Sequence, residues 1–229
     1  MSSRILFVYT SADKSPSGTP TGWWLAEAAH PYYLLRGNAE IDFASPKGPN
    51  PPLDAGSVKL STDDESVRFL EDPEVQEKLA NAKKLVDVDP SNYNAVLYIG
   101  GHGPMFDLAT DPVNTQVANA FFQSGKITAA VCHGPGALVT VTDASGKSLF
   151  AGRNVTGLSN VEEDAVGGTS LVPFLLEDRI KELGGQYSKA EEPFGVKVVV
   201  DGNVITGQNP ASARAVGEAI LEALDRPGN

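Results

Sequence analysis

Cys132 is the single cysteine of the chain, and it lies in Ile127-Thr-Ala-Ala-Val-Cys-His-Gly-Pro-Gly136. An apolar run stops at a thiol, a histidine follows, and then come glycine and proline. A thiol beside an imidazole is the chemistry of covalent attack on an electrophilic carbon. The pattern is small-x-Cys-x-Gly, written here by Ala130, Cys132 and Gly134. It parallels the Gly-x-Ser-x-Gly elbow of hydrolases, where strand and helix approach closely around a strained turn. Proline at the first turn suits a helix start. The open N–H groups and positive end of that helix then predict a lowered thiol pKa. The competing reading is a buried core cysteine at the end of an apolar strand. The flanking glycine, proline and His133 favour a nucleophile.

Further reactive types follow the same logic. Gly100-Gly-His-Gly103 comes after another apolar run, and strand ends line the ligand crevice of an open parallel sheet. The Gly101 N–H is expected to point there and pair with the His133 N–H as an oxyanion hole. The stretch lacks the third glycine of a nucleotide fingerprint. His102 reads equally as pocket lining or as a turn histidine. Glu27 sits among Trp23, Trp24, Leu25, Ala26, Ala28 and Ala29. That company predicts a desolvated carboxyl with a raised pKa, suited to moving protons near neutrality. His30 reads as structural. Of Trp23 and Trp24, one belongs in the core and the other is free to wall the site.

The elements that must position these groups are legible as periodicity. Buried parallel strands are predicted at 5–9, 95–99 and 127–131, with shorter ones at 40–44 and 154–158. Helices are predicted at 23–36, 114–124, 135–141, 170–183 and 211–224, and a charged helical stretch, broken near Pro73, at 62–86. Residues 46–61 read as a long surface excursion. Asp201-Gly202 between two valine-rich runs predicts a hairpin. Strands alternating with helices imply an α/β fold with a mostly parallel sheet covered on both faces.

Composition narrows the function. The 229 residues suffice for one large α/β domain. A formal net charge of −11 argues against nucleic acid or an anionic membrane as partner. One cysteine forms no internal disulfide, and three histidines build no histidine-rich metal cage, so no metal is expected. No run approaches the roughly 20 apolar residues of a membrane span, and the N-terminus lacks a signal-peptide pattern. A cytoplasmic protein is expected, where thiols stay reduced.

Four segments together resemble the ThiJ/PfpI superfamily, a branch of the class I glutamine amidotransferase-like fold. They are Ala26-Glu-Ala-Ala-His-Pro31, Gly100-Gly-His-Gly103, Ala130-Val-Cys-His-Gly-Pro135 and Val155-Thr-Gly-Leu-Ser-Asn-Val-Glu-Glu-Asp164. Ile205-Thr-Gly-Gln-Asn-Pro-Ala211 adds a fifth. The pattern is most similar to the glutathione-independent glyoxalase III (D-lactate dehydratase) and heat-shock-chaperone-like subfamily. The resemblance implies a flavodoxin-like domain over residues 1–229, with any cap or insertion drawn from about 46–86. It implies Cys132 as nucleophile, His133 as its partner, Glu27 as a pocket acid and Glu163 as the third triad member. Glu162 and Asp164 are the neighbouring alternatives for that last position. It implies a homodimer, no cofactor, and a small dicarbonyl such as methylglyoxal as substrate. The elbow alone is equally compatible with a cysteine hydrolase (peptidase, amidase or isonitrile hydratase). A stress holdase or a redox sensor is a reading of a different class.

Overall fold

The computed structural model describes residues 3–226. The termini of the expected 1–229 domain, residues 1–2 and 227–229, lie outside that range. In chain order the elements are β1 (Ser3–Val8), α1 (Leu25–Leu35), β2 (Ala39–Ser45), α2 (Ala55–Leu60), α3 (Asp64–Glu71), α4 (Pro73–Ala80), β3 (Lys83–Lys84), β4 (Ala95–Tyr98), α5 (Pro112–Gln123) and β5 (Ile127–Val131). They continue with β6 (Asn154–Val155), α6 (Asn160–Ala165), α7 (Leu176–Glu182), β7 (Gln186–Tyr187), β8 (Val198–Asp201), β9 (Val204–Gly207) and α8 (Ala213–Leu224).

Seven strands form one sheet in the order β3-β2-β1-β4-β5-β9-β8, parallel except for β8. Alternation along β1 sends Ile5 and Phe7 toward α1 and α8, and Leu6 and Val8 toward α5. Both faces are therefore covered, which is why the central strands are apolar throughout. The expected α/β architecture is the one observed. From β1 the chain runs outward to β2 and β3, then returns to β4 on the other side of β1. That reversal opens a crevice at the carboxyl ends of β1 and β4.

Local signals hold the elements that matter for the site. Asp111 caps α5 by accepting from the Val113 N–H at 2.8 Å, with Pro112 in the first turn. The Asp201-Gly202 hairpin forms, with Gly202 at φ +63° and Asp201 paired to Val204. Trp23, at the mouth of α1, is buried against Tyr9 and Phe69, with ring centroids 5.1 and 6.1 Å away. This aromatic cluster ties α1 to α3 and to the sheet.

Several boundaries differ from the sequence reading. The 46–61 excursion contains α2, capped by Asp54. The helix expected over 170–183 begins only at Leu176, beyond Pro173. The strand expected over 154–158 pairs at two residues only. The helix expected over 135–141 is a 3₁₀ stretch, Gly134–Leu138.

Candidate active site

Cys132 follows β5 directly and adopts φ +60°, a left-handed conformation that non-glycine residues rarely take. The turn is pinned from both sides. The Cys132 N–H donates to the Gly207 carbonyl of β9 at 3.0 Å, and the Cys132 carbonyl accepts from the Leu158 N–H at 2.9 Å. A Cβ at Gly134 would strike the Tyr98 carbonyl of β4, so position 134 admits no side chain. The small-residue requirement of the elbow thus has a concrete cause. Strained backbone at a buried thiol is a feature of functional sites.

Glu27, on α1, is buried beside the sulfur. Its Oε2 accepts from the Gly100 N–H at 2.9 Å, while Oε1 has no hydrogen-bond partner of good geometry. Gly100 lacks a Cβ because Glu27 Oε2, the Val131 carbonyl and the Cys132 side chain fill that space. Burial pushes the Glu27 carboxyl up to about 8, opposed by its contact with Cys132 and by the Gly100 N–H.

His133 converges on Cys132 rather than diverging from it, with Nδ1 3.6 Å from Sγ. On its other side, Nε2 lies 2.6 Å from Glu163 Oε2. Glu163 Oε1 is 2.8 Å from His102 Nε2, so one carboxylate holds two imidazoles whose centroids are 4.3 Å apart. Burial pushes Glu163 up, but the His102 and His133 hydrogen bonds outweigh it and hold the group well below the usual carboxylate range. An ionised carboxylate only accepts, so both Nε2 atoms carry the proton. Burial, with His102 adding to it, pushes the His133 pKa down. The neutral ring then turns the lone pair of Nδ1 toward the thiol, as a base must.

The thiol corrects the sequence reading. Burial first, and Glu27 second, push the Cys132 pKa well up, and only the Gly101 N–H, hydrogen-bonded to the sulfur, works the other way. A five-residue 3₁₀ stretch provides no long aligned dipole to reverse this. The resting sulfur is a thiol flanked by an acid and a base.

Of the three adjacent acids at 162–164, Glu163 is the one that reaches His133. Glu162 instead forms a capping box with Ser159 and accepts from Gln208 Nε2, Asn209 Nδ2 and the Phe194 N–H. Asp164 pairs with Thr169 at the surface. His30 turns away from the site and meets Asp63 at 3.0 Å.

A cavity of about 230 Å³ opens over Cys132, with Gly101, His102 and His133 at its base and Trp24 on its wall. Leu60, Leu158, Val166, Phe194 and Pro210 complete it. The sequence reading placed one of Trp23 and Trp24 on the wall, and it is Trp24; it missed Leu60, Leu158, Val166, Phe194 and Pro210, and the Glu163 bridge to His102. The one readable signal was Phe194, a lone aromatic in the polar run Glu191-Glu-Pro-Phe-Gly195. A wider depression of about 510 Å³ beside α4 is lined by charged groups such as Glu74 and Lys78, and among the described residues no cysteine, serine or histidine lines it. His102, His133 and Glu163 keep their donor atoms within 4.8 Å, a separation a metal ion tolerates, but both Glu163 oxygens are engaged by the rings.

Fold and site define an α/β protein with a cysteine elbow, a neighbouring histidine–carboxylate pair and a buried second acid. The DJ-1/PfpI family profile matches residues 25–223, and the chain belongs to that family. Glyoxalase 3 of Candida albicans is 29% identical over 232 residues, covering 97% of this chain and 98% of that protein. Rapid Encystment Protein 24 kDa of Francisella tularensis superposes with a TM-score of 0.92 at 37% identity, covering 98% of this chain and 100% of that one. The crystal structure of glyoxalase III from Candida albicans superposes with a TM-score of 0.87 at 28% identity, covering 96% and 97%.

Proposed function

We propose that this chain is a glutathione-independent glyoxalase of the glyoxalase III (D-lactate dehydratase) type, converting methylglyoxal or a related dicarbonyl to the 2-hydroxy acid without a cofactor. The observation that carries the reading is the Glu27 carboxyl, buried against the Cys132 thiol with one oxygen unpartnered. The names of the Candida albicans relatives support it.

His133 Nδ1 takes the thiol proton as sulfur adds to the aldehyde carbon, and the proton passes to the new oxygen, giving a hemithioacetal. The Gly101 and His133 N–H groups stabilise oxyanion charge as it develops. Glu27 then removes the proton from C1 and delivers it to the C2 oxygen, forming an enediol. Glu27 next carries the C1 hydroxyl proton to C2, and a thioester results. Water cleaves the C–S bond and restores the thiol. C1 rises from the aldehyde to the acid level and C2 falls from ketone to alcohol, so no external oxidant or reductant is needed.

Purified protein should form lactate from methylglyoxal without glutathione. Cys132→Ala and Glu27→Gln should each reduce kcat by roughly 10²–10⁴-fold. Lactate formation untouched by both substitutions overturns the mechanism. The His133–Glu163 pair also suits cysteine hydrolysis. That second reading predicts thioester or amide cleavage that survives Glu27→Gln.

Three wider readings accompany the proposal. Leu60 of α2 at the cavity mouth supports residues 46–86 as a partial cap. The catalytic thiol suits the cytoplasm, where it stays reduced. The family resemblance supports a homodimer.

A further inference from the structure

The walls of the cavity ask for more than a methyl group. About 230 Å³ falls below the roughly 300–1,000 Å³ of sites for drug-sized ligands, yet it exceeds what the single methyl of methylglyoxal fills. Away from His102 and His133 at the base, the wall is Trp24, Leu60, Leu158, Val166, Phe194 and Pro210. Among the described residues no lysine or arginine lines it, so a carboxylate or phosphate substituent finds neither side chain there.

The mouth is apolar as well. Leu60, Val166 and Phe194 remain 73%, 50% and 43% exposed, a cluster of large hydrophobic side chains turned to water around one opening. Phe194 is held there against its backbone preference, at φ +60°. A bulky residue in that region is an outlier that surrounding structure must enforce. The enforcement is visible. The Phe194 N–H donates to Glu162 Oε1 at 2.8 Å, and Asn209 Nδ2 bridges that same oxygen and the Gly195 carbonyl, each at 2.8 Å. The acid next to the triad carboxylate therefore fastens an aromatic ring over the nucleophile.

We propose that the site selects 2-oxoaldehydes whose second carbonyl carries an apolar alkyl or aryl group larger than methyl, gripped at the mouth by Phe194 and Leu60. This rests on the glyoxalase reading and names its substrate class.

The test is a series of methyl-, propyl-, pentyl- and phenylglyoxal, together with a carboxylate-bearing 2-oxoaldehyde, each measured for kcat/KM without glutathione. Burial of the chain predicts a rise of about fourfold per added methylene until the cavity is full. The gain should appear in KM, because the substituent is held alike in ground and transition states. The carboxylate-bearing analogue should be poorer than methylglyoxal. Phe194→Asn removes the ring while suiting the left-handed backbone, and Leu60→Ser changes an exposed position, so both should fold. Each should flatten the rise across the series at least threefold between methyl and pentyl. A series that is flat or falling while methylglyoxal turns over overturns the inference, as does a rise unaltered by both substitutions. No turnover of any member overturns the glyoxalase reading itself.

Discussion

At the residue scale, the site is a set of protons shared between buried groups. Glu27 titrates near 8 because burial penalises its charge, and Cys132 is raised by the same burial and by Glu27. At pH 7 a carboxyl with that pKa is ionised in roughly one molecule in ten. Proton abstraction from carbon requires the ionised form. The kcat/KM of the wild type should therefore climb as pH rises through about 8, by up to tenfold between pH 7 and 9. Glu27→Gln should leave residual turnover without that limb. A profile already flat from pH 6 would show that Glu27 is not the base. Glu27 was legible in the sequence as a desolvated acid, because its apolar neighbours mark that stretch of chain as one that packs into the core. The thiol was misread, because its strongest influences are burial and Glu27, which arrive from other elements.

At the element scale, the elbow works because three strands end together. β4 brings Gly100 and Gly101, β5 brings Cys132, and β9 receives the Cys132 N–H. The fit is close enough to be tested with one methyl group. Gly134→Ala would push a Cβ into the Tyr98 carbonyl and shift β4 against the turn. A loss of about 1–3 kcal/mol is expected in denaturant unfolding, with a larger fractional loss of activity, since the nucleophile rides on the displaced turn. Full activity and an unchanged midpoint after Gly134→Ala would show that the turn is slack. The elbow pattern was legible because strand, nucleophile and glycines are contiguous. The third triad position was not. Glu162, Glu163 and Asp164 are consecutive on α6, and which one faces His133 depends on how α6 docks. The helix expected after the elbow shortened to a 3₁₀ stretch, where the Gly-Pro-Gly run lacks the propensity to sustain more.

For the whole molecule, the buried acid is a stability liability that function retains. The folded pKa of Glu27 lies above its usual 4.5, so between about 4.5 and 8 the native state binds more protons than the unfolded one. The contribution of this group is full below pH 4.5 and is lost as pH rises through 8. Glu27→Gln mimics the neutral carboxyl and escapes that loss. Its stability advantage over the wild type should grow with pH and level off above 8, at no more than about 5 kcal/mol. Equal unfolding midpoints at pH 5 and pH 9 for both proteins would contradict the buried, neutral assignment. Glu163 acts in the opposite direction, its low pKa adding stability that disappears on acidification. Among the described residues no helix is long and apolar enough to cross a membrane.

Periodicity and neighbours a few residues away were enough to read the parallel sheet, the elbow and the candidate nucleophile on it. Which acid holds His133, that the same acid holds His102, that the sulfur rests protonated, and that Leu60 and Phe194 line one cavity over it emerge with the packed fold. Each of those is a contact between segments tens of residues apart. Their geometry is set by helix docking and loop closure, which no local pattern encodes.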